Sequence, residues 1–253
     1  MSFIGHTDFL IEVQKGNIAG HSIIHKFGRN DSVPNGTWAF INLLGATTHP
    51  LTAATTVRVK AGNGADTAAG AGAREITIQG IDSNLAEISE AVATAGASAS
   101  GNTTASFWRV HRAWVSSCGT YGAANTAAVV IENSAGGTDL IQIATEEGQT
   151  QYGGWTVPTG KTAYLLSSSV TVDSGKEVDF KLNTRADFND ASSDPFKSVR
   201  LNTFFDGLAA PHTLQPRSPS SPIPALTDIW WEARGSAGTE AVSVDFELLI
   251  VDD

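Results

Sequence analysis

The chain is poor in cysteine, in charge and in long apolar runs, and each shortage removes a class of protein. A single cysteine, Cys118, is present. It excludes an intramolecular disulfide and a cysteine-rich zinc site. No stretch approaches the ~18 apolar residues of a membrane-spanning helix. The opening MSFIGHTDFLIEVQKG lacks the basic-then-apolar order of a secretory signal, so the expectation is a soluble protein made in a cytoplasm. Only 17% of the 253 residues are charged, where about a quarter is usual. Such a surface rests on Ser, Thr, Asn and Gly, or is covered by neighbours, which hints at assembly. The net charge is −10. A general nucleic-acid binder needs a basic face to displace counterions, so the acidic balance argues against that role.

What the chain does have is strand pattern. A length of 253 residues fits one large all-β domain or two small ones. TTVRVKA (55–61) and REITIQG (74–80) alternate apolar and polar residues. FWRVHRAWV (107–115) sets Trp108, Val110 and Trp114 on one face with Arg112 among them, and Trp108, Trp114 and Trp231 are expected to face inward. EVDFKLN (177–183) groups Val178, Phe180 and Leu182; AVSVDFELLIV (241–251) groups Val242, Val244, Phe246, Leu248 and Ile250. Alternation of period two buries one side of a strand. NTAAVVIEN (125–133) and KTAYLLSSSVTV (161–172) are more evenly apolar and read as central strands. Turn clusters rich in Gly, Asn, Asp and Ser separate them. The stretch 82–95 carries helix caps and Ala/Glu content, yet Ile88, Glu90, Val92 and Thr94 alternate as in a strand; the strand is favoured.

Residues 206–227 hold five of the nine prolines. Proline fixes φ and donates no ladder hydrogen bond, so this segment reads as an extended surface arm, or as an ordered loop crossing within one fold. The fold expected is all-β, a jelly-roll-like β sandwich with long loops. Residues 1–50 are expected as an extended amino-terminal arm, and 51–253 as the sandwich domain including the proline-rich arm 206–227.

Local chemistry is nearly silent. His21 and His25 are four apart, but GHSIIHKFG lacks helix formers, and on a strand the two rings stand about 13 Å apart. Scaffold histidines held by hydrogen bonds are preferred over a shared metal. GGWTVPTGKT (153–162) misses a phosphate loop, because Trp155 stands where glycine is needed and Pro158 removes an N–H. Glycines 62, 64, 70 and 72 do not form a dinucleotide fingerprint. Cys118 has no spacing that makes it a nucleophile, and reads as a small residue beside a turn. Asp173, Glu177 and Asp179 lack the spacing of a calcium loop. No catalytic residue, metal site or cofactor is assigned.

The order of certain blocks carries more. GHS…KFGRN (20–30), DTAAGAGAREITIQG (66–80), FWRVHRAWV (107–115), TVPTGKTAY (156–164) and the closing DIW…VSVDFELLIVD (228–252) span most of the chain. In that order they resemble a group of structural proteins from tailed bacteriophages, marine ones especially. The resemblance implies a virion protein without catalytic residues, assembled in the host bacterial cytoplasm. Head decoration and tail or neck attachment both fit it. The favoured reading is a capsid decoration (cement) protein, non-enzymatic, bridging capsomers through many weak contacts. Its partners are the major capsid protein or other virion proteins and itself, as a homotrimer, with neither nucleic acid nor membrane. Contacts are expected at Phe3, Phe9, His21, His25, Lys26 and Arg29, and at Pro211, Pro216 and Arg217. Replacing Lys26 and Arg29 by Glu is expected to weaken particle binding without unfolding. The rival reading is a tail or receptor-binding module that grips carbohydrate on Trp38, Trp155 or Trp230. A hydrolase would need two converging carboxylates in a cleft.

Overall fold

A computed structural model describes residues 8–45, 51–173, 175–190, 195–214 and 221–253. After a short helix, α1 (Phe9–Gln14), the chain runs through β1 (His21–Pro34), β2 (Ala39–Phe40), β3 (Val57–Ala61), β4 (Ala73–Asp82) and β5 (Glu87–Ala93). It continues through β6 (Phe107–Cys118), β7 (Val129–Asn133), β8 (Asp139–Ile143), β9 (Gly154–Thr156) and β10 (Lys161–Val172). It ends with β11 (Val178–Arg185), β12 (Arg200–Leu208), β13 (His212–Leu214), β14 (Asp228–Gly235) and β15 (Thr239–Asp252). The stretch 82–95 is therefore a strand at its centre. Residues 21–40, placed by the sequence in an amino-terminal arm, supply β1 and β2.

One sheet has the order β1-β15-β10-β13 and the other β12-β11-β14-β2, with β9 also on β14. Set aside β3 to β9, and the eight remaining strands in chain order are β1, β2, β10, β11, β12, β13, β14 and β15. First pairs with eighth, second with seventh, third with sixth and fourth with fifth, all antiparallel. One long hairpin wrapped into two sheets gives this order, and it is a jelly roll. The inward rows are those the alternation marks: Val178, Phe180 and Leu182 on β11 face Val242, Val244, Phe246, Leu248 and Ile250 on β15 in one buried core.

The segment from β3 to β8 is an insertion between the second and third strands of the roll. It forms two three-stranded sheets, β3-β7-β8 and β5-β4-β6. They enclose a second core, which also takes Phe40, Tyr152 and Trp230. Strand β14 is thus buried on both faces, Trp231 in the first core and Trp230 in the second. Asp66 organises the loops of the insertion. Its buried carboxylate accepts from the N–H groups of Ala73 (2.9 Å), Thr126 (2.9 Å) and Ala127 (3.2 Å) and from the Thr126 hydroxyl (2.9 Å). A Cβ on Gly72 would strike that carboxylate, and one on Gly70 the Ala65 carbonyl. This gives the D-T-A-A-G-A-G pattern its reason.

Strand β6 departs from simple alternation. Its pairing with β4 slips four times, passing over Trp108, His111 and Ser116 on β6 and Arg74 on β4. Each slip turns the next side chains to the other face. As a result Phe107, Arg109, His111 and Ala113 are buried, while Trp108 and Trp114 are only half-buried, against the inward face expected for them. The segment 206–227 also resolves where described. The chain passes from β12 to β13 in the opposite sheet, and later Ile223 and Ala163 exchange two backbone hydrogen bonds of 2.8 and 2.9 Å. The described part is a crossing within the fold; residues 215–220 lie outside the description.

The insertion and the roll meet at a buried ion pair. Arg109 on β6 donates to both carboxylate oxygens of Asp228 on β14, at 3.0 and 2.9 Å. Its remaining nitrogen donates to the Leu51 and Trp108 carbonyls at 3.0 and 2.8 Å, and Thr156 donates to Asp228 at 2.7 Å. Removing one member leaves a buried charge, so Arg109→Met should cost about 3–5 kcal/mol. Adding Asp228→Leu should recover much of that loss. Chemical unfolding of the two variants checks this; equal stability of Arg109→Met and the parent would refute it.

Candidate functional site

No described region joins an acid, a base and a nucleophile. The features that stand out are two surfaces, at opposite edges of the roll. The first is built on β1. Lys26, Gly28 and Asn30 are buried, whereas His25, Phe27 and Arg29 between them are exposed. The Lys26 ammonium donates to the His111 carbonyl at 2.5 Å and lies 5.7 Å from the Tyr152 ring centre. Gly28 lets the β1 backbone meet Gly153 and the Ile41 carbonyl, where a Cβ would collide. Asn30 donates to the Phe40 carbonyl at 2.9 Å. The K-F-G-R-N pattern is therefore a row of internal ties. Lys26 is 6% exposed and is not a surface contact. Replacing it with Glu would bury a second carboxylate near Glu87, so the double Glu substitution tests folding, not binding.

Four of the other expected contacts, Arg29, His25, His21 and Phe9, lie along this end of the molecule. Arg29 is exposed and bonds Asp31 at 2.6 Å. His25 bonds Asp245 at 2.8 Å, with both side chains near half exposed. His21 bonds the Ala19 carbonyl at 2.9 Å and meets the Phe9 ring edge-on at 5.7 Å. Phe9 lies on α1, which Asp8 caps by accepting from the Leu10 N–H. Among the described residues, no group of three or more His, Cys, Asp or Glu is placed to hold a metal ion. Pro211 is exposed beside β13. Phe3, Pro216 and Arg217 lie outside the described residues.

Between β1 and the insertion opens a cleft of about 440 Å³, lined by Lys26, His25, Gln79, Glu87, Arg112 and Trp155 among others. Burial, reinforced by the Arg112 charge, pushes the Lys26 pKa down to about 7. Glu87 is exposed as a residue, but the cleft wall crowds its carboxyl end and raises its pKa, against the opposing pull of Lys161 and Lys26. Gln79 donates to it at 2.8 Å.

The second surface is the outer face of the sheet at β12. Half of that outer face, at β14 and β2, is covered by the insertion. The rest is open. Leu201 and Phe204 stand there 59% and 44% exposed, with Val199 and Phe196 beyond. Leu201 and Phe204 pair with Asn183 and Lys181, on the side away from the first core. Trp38 meets Phe204 at 6.0 Å, and Lys181 and Arg234 lie over the Trp38 ring at 4.3 and 4.8 Å. The alternation of this strand is weak, and sequence reasoning passed over it; a bulge at Asn202 breaks the period. Trp155 and Trp230 are 2% and 6% exposed, so they form no open aromatic groove with Trp38.

No protein-family model matches the chain, and no curated protein matches it. Among solved structures, a loose likeness is found to the structure of infectious bursal disease virus, Gx strain. It has 11% identity and a TM-score of 0.22, over 92% of this chain and 77% of that one. A mutant VP2 protein of the same virus, from derived T=1 particles, gives 10% identity and a TM-score of 0.22, over 98% and 80%. At that score the backbones do not superpose as one fold. The jelly roll described above stands on its own strand order.

The buried lysine has a measurable consequence. Its pKa is about 7 when folded, against 10.5 as a free side chain. Between those values the unfolded chain binds more protons, so stability rises with pH through that window. The slope from this group is up to about 1.4 kcal/mol per pH unit. Below the window both states are charged and the contribution is flat. Lys26→Met should abolish the slope in urea unfolding; an unchanged slope in that variant would refute the assignment.

Proposed function

We propose that the chain is a non-enzymatic virion structural protein, a decoration protein bound to the head of a tailed bacteriophage. The observation that carries this reading is the open apolar face on β12. Edge strands in soluble proteins are usually short, charged or covered. This one is nine residues long and ends a sheet. It presents Leu201 and Phe204, with Val199 and Phe196 next to it. Contiguous exposed apolar residues of this kind mark interaction surfaces. The charges beside Trp38 are paired, Lys181 with Glu232 at 2.7 Å and Arg234 with Asp179, so the face offers apolar area and backbone groups, with the exposed Arg200 at the start of the strand.

The sequence resemblance to phage structural proteins supplies the class of partner, the major capsid protein. A jelly roll suits the role, since it is rigid and recurs in capsids, though the same fold also serves lectins and cupins. A decoration subunit strengthens a shell by spanning neighbouring capsomers through several weak contacts at once. A homotrimer would place three such faces around one point.

Leu201→Asp with Phe204→Ser should abolish occupancy on particles, because both side chains are exposed and the contact is apolar. The thermal midpoint should move little, since exposed changes cost within about 0.5 kcal/mol. Full occupancy of the double variant would remove β12 as the contact. Immunogold microscopy of particles locates the chain. Gold over the heads supports decoration, gold at one vertex or the tail transfers the role to attachment, and an absence of gold defeats the virion reading.

A further inference from the structure

The cleft between β1 and the insertion has a composition that the decoration role does not explain. It brings together Lys26 from β1, Gln79 from β4, Glu87 from β5, and Arg112 from β6, with Trp155 of β9 at its wall. We propose that it binds a small molecule bearing an oxyanion, a carboxylate or a phosphate, gripped between the Lys26 ammonium and the Arg112 guanidinium.

The argument begins with an incomplete set of hydrogen bonds. An ammonium carries three donors. Lys26 uses one on the His111 carbonyl. Among the described residues no carboxylate bonds it, although the side chain is more than nine-tenths buried. Glu87 attracts it across the cleft without bonding it, and a buried charge held at that distance is only partly compensated. Arg112, exposed at the cleft mouth, forms no ion pair among the described residues: its guanidinium donates to the Gln149 amide oxygen at a long 3.4 Å and stacks over Trp114 at 5.1 Å. Two cations held close together in a protein of net charge −10 make a local site for negative charge.

Its size and place also fit. A cleft of about 440 Å³ lies in the range of small-molecule sites, which favour junctions between structural units. This one sits where the inserted sheets meet the roll. Gln79 donates to Glu87, which occupies one acceptor of the carboxylate that lines the cleft. Trp155, buried and edge-on to His111 at 6.1 Å, gives the site an apolar wall. A metal cation would face Lys26 and Arg112 and be repelled.

The inference is independent of the decoration role, because its test uses the purified chain alone. Inorganic phosphate and citrate are titrated in turn by calorimetry and by amide NMR shifts. The expected result is saturable one-site binding of at least one of them, with shifts centred on 22–26, 79, 87 and 111–112. Arg112→Gln, at an exposed position, should weaken it by at least about tenfold, and Lys26→Met likewise if that variant folds. Lys60→Gln, which removes an equal charge from the exposed position of β3, should bind as the parent does. Preference for phosphate or for citrate identifies which oxyanion the site takes. Overturning results are an absence of saturation with both probes, unaltered affinity in Arg112→Gln, or equal weakening in Lys60→Gln, which would mean diffuse charge attraction only.

Discussion

The Arg109–Asp228 pair fixes how the inserted sheets sit on the jelly roll, and both surfaces follow from that placement. Taking two charges out of water costs several kcal/mol per ion, and their attraction repays this only where every hydrogen bond is made. Here four of the five guanidinium donors are engaged. The guanidinium is shared among Asp228, Leu51 and Trp108, and rests 4.6 Å from the Phe188 ring centre. The carboxylate also takes the Thr156 hydroxyl. Five separate stretches of chain meet at this ion pair. A planar, bidentate donor defines angle as well as distance. Greasy contacts at Phe40, Tyr152 and Trp230 fill the joint, but they could slide; the ion pair sets its register.

The row Lys26, Gly28 and Asn30 repeats this logic along β1. Each residue joins the edge of the roll to something beyond its own sheet: to β6, to the chain at Gly153 and Ile41, and to β2. Only three residue types would serve. A long donor crosses to β6, an absent side chain allows backbone contact, and a short amide caps the Phe40 carbonyl. The outward residues His25, Phe27 and Arg29 carry no such duty. The bridging lysine lines the cleft while tying β1 to β6 across it.

Much of the roll was legible in the sequence because its strands obey period two. Val178, Phe180 and Leu182, and the row from Val242 to Ile250, are inward as their spacing says. The failures lie where backbone irregularity breaks that period. The slips of β6 at Trp108 and His111 turned a tryptophan face half outward and buried an arginine and a histidine. The bulge at Asn202 hid the apolar face of β12. The buried Lys26 was misread as a contact because a lysine beside an arginine looks like surface; its burial depends on β6, eighty-five positions away. Such pairings are invisible to local pattern. The glycines of 66–80 were legible as turns, but not as the space around the Asp66 carboxylate.

Jelly rolls serve shells, lectins and enzymes alike, so the role must be sought in what this roll adds. It adds two surfaces at opposite ends of the strand order. In one sheet β1 and β13 are the edges; in the other, β2 and β12 are. The cationic cleft belongs to the β1 and β2 side, and the apolar face to the β12 and β13 side. A large partner seated on β12 therefore leaves the cleft open to solvent. The insertion also covers only the half of the outer face near β14, so growth of the chain there did not bury β12. Had the inserted sheets been docked two strands further across, they would have covered Leu201 and Phe204 and closed the apolar face. The ion pair at Arg109 prevents that shift, and so the contact that seats the insertion also leaves the β12 face open.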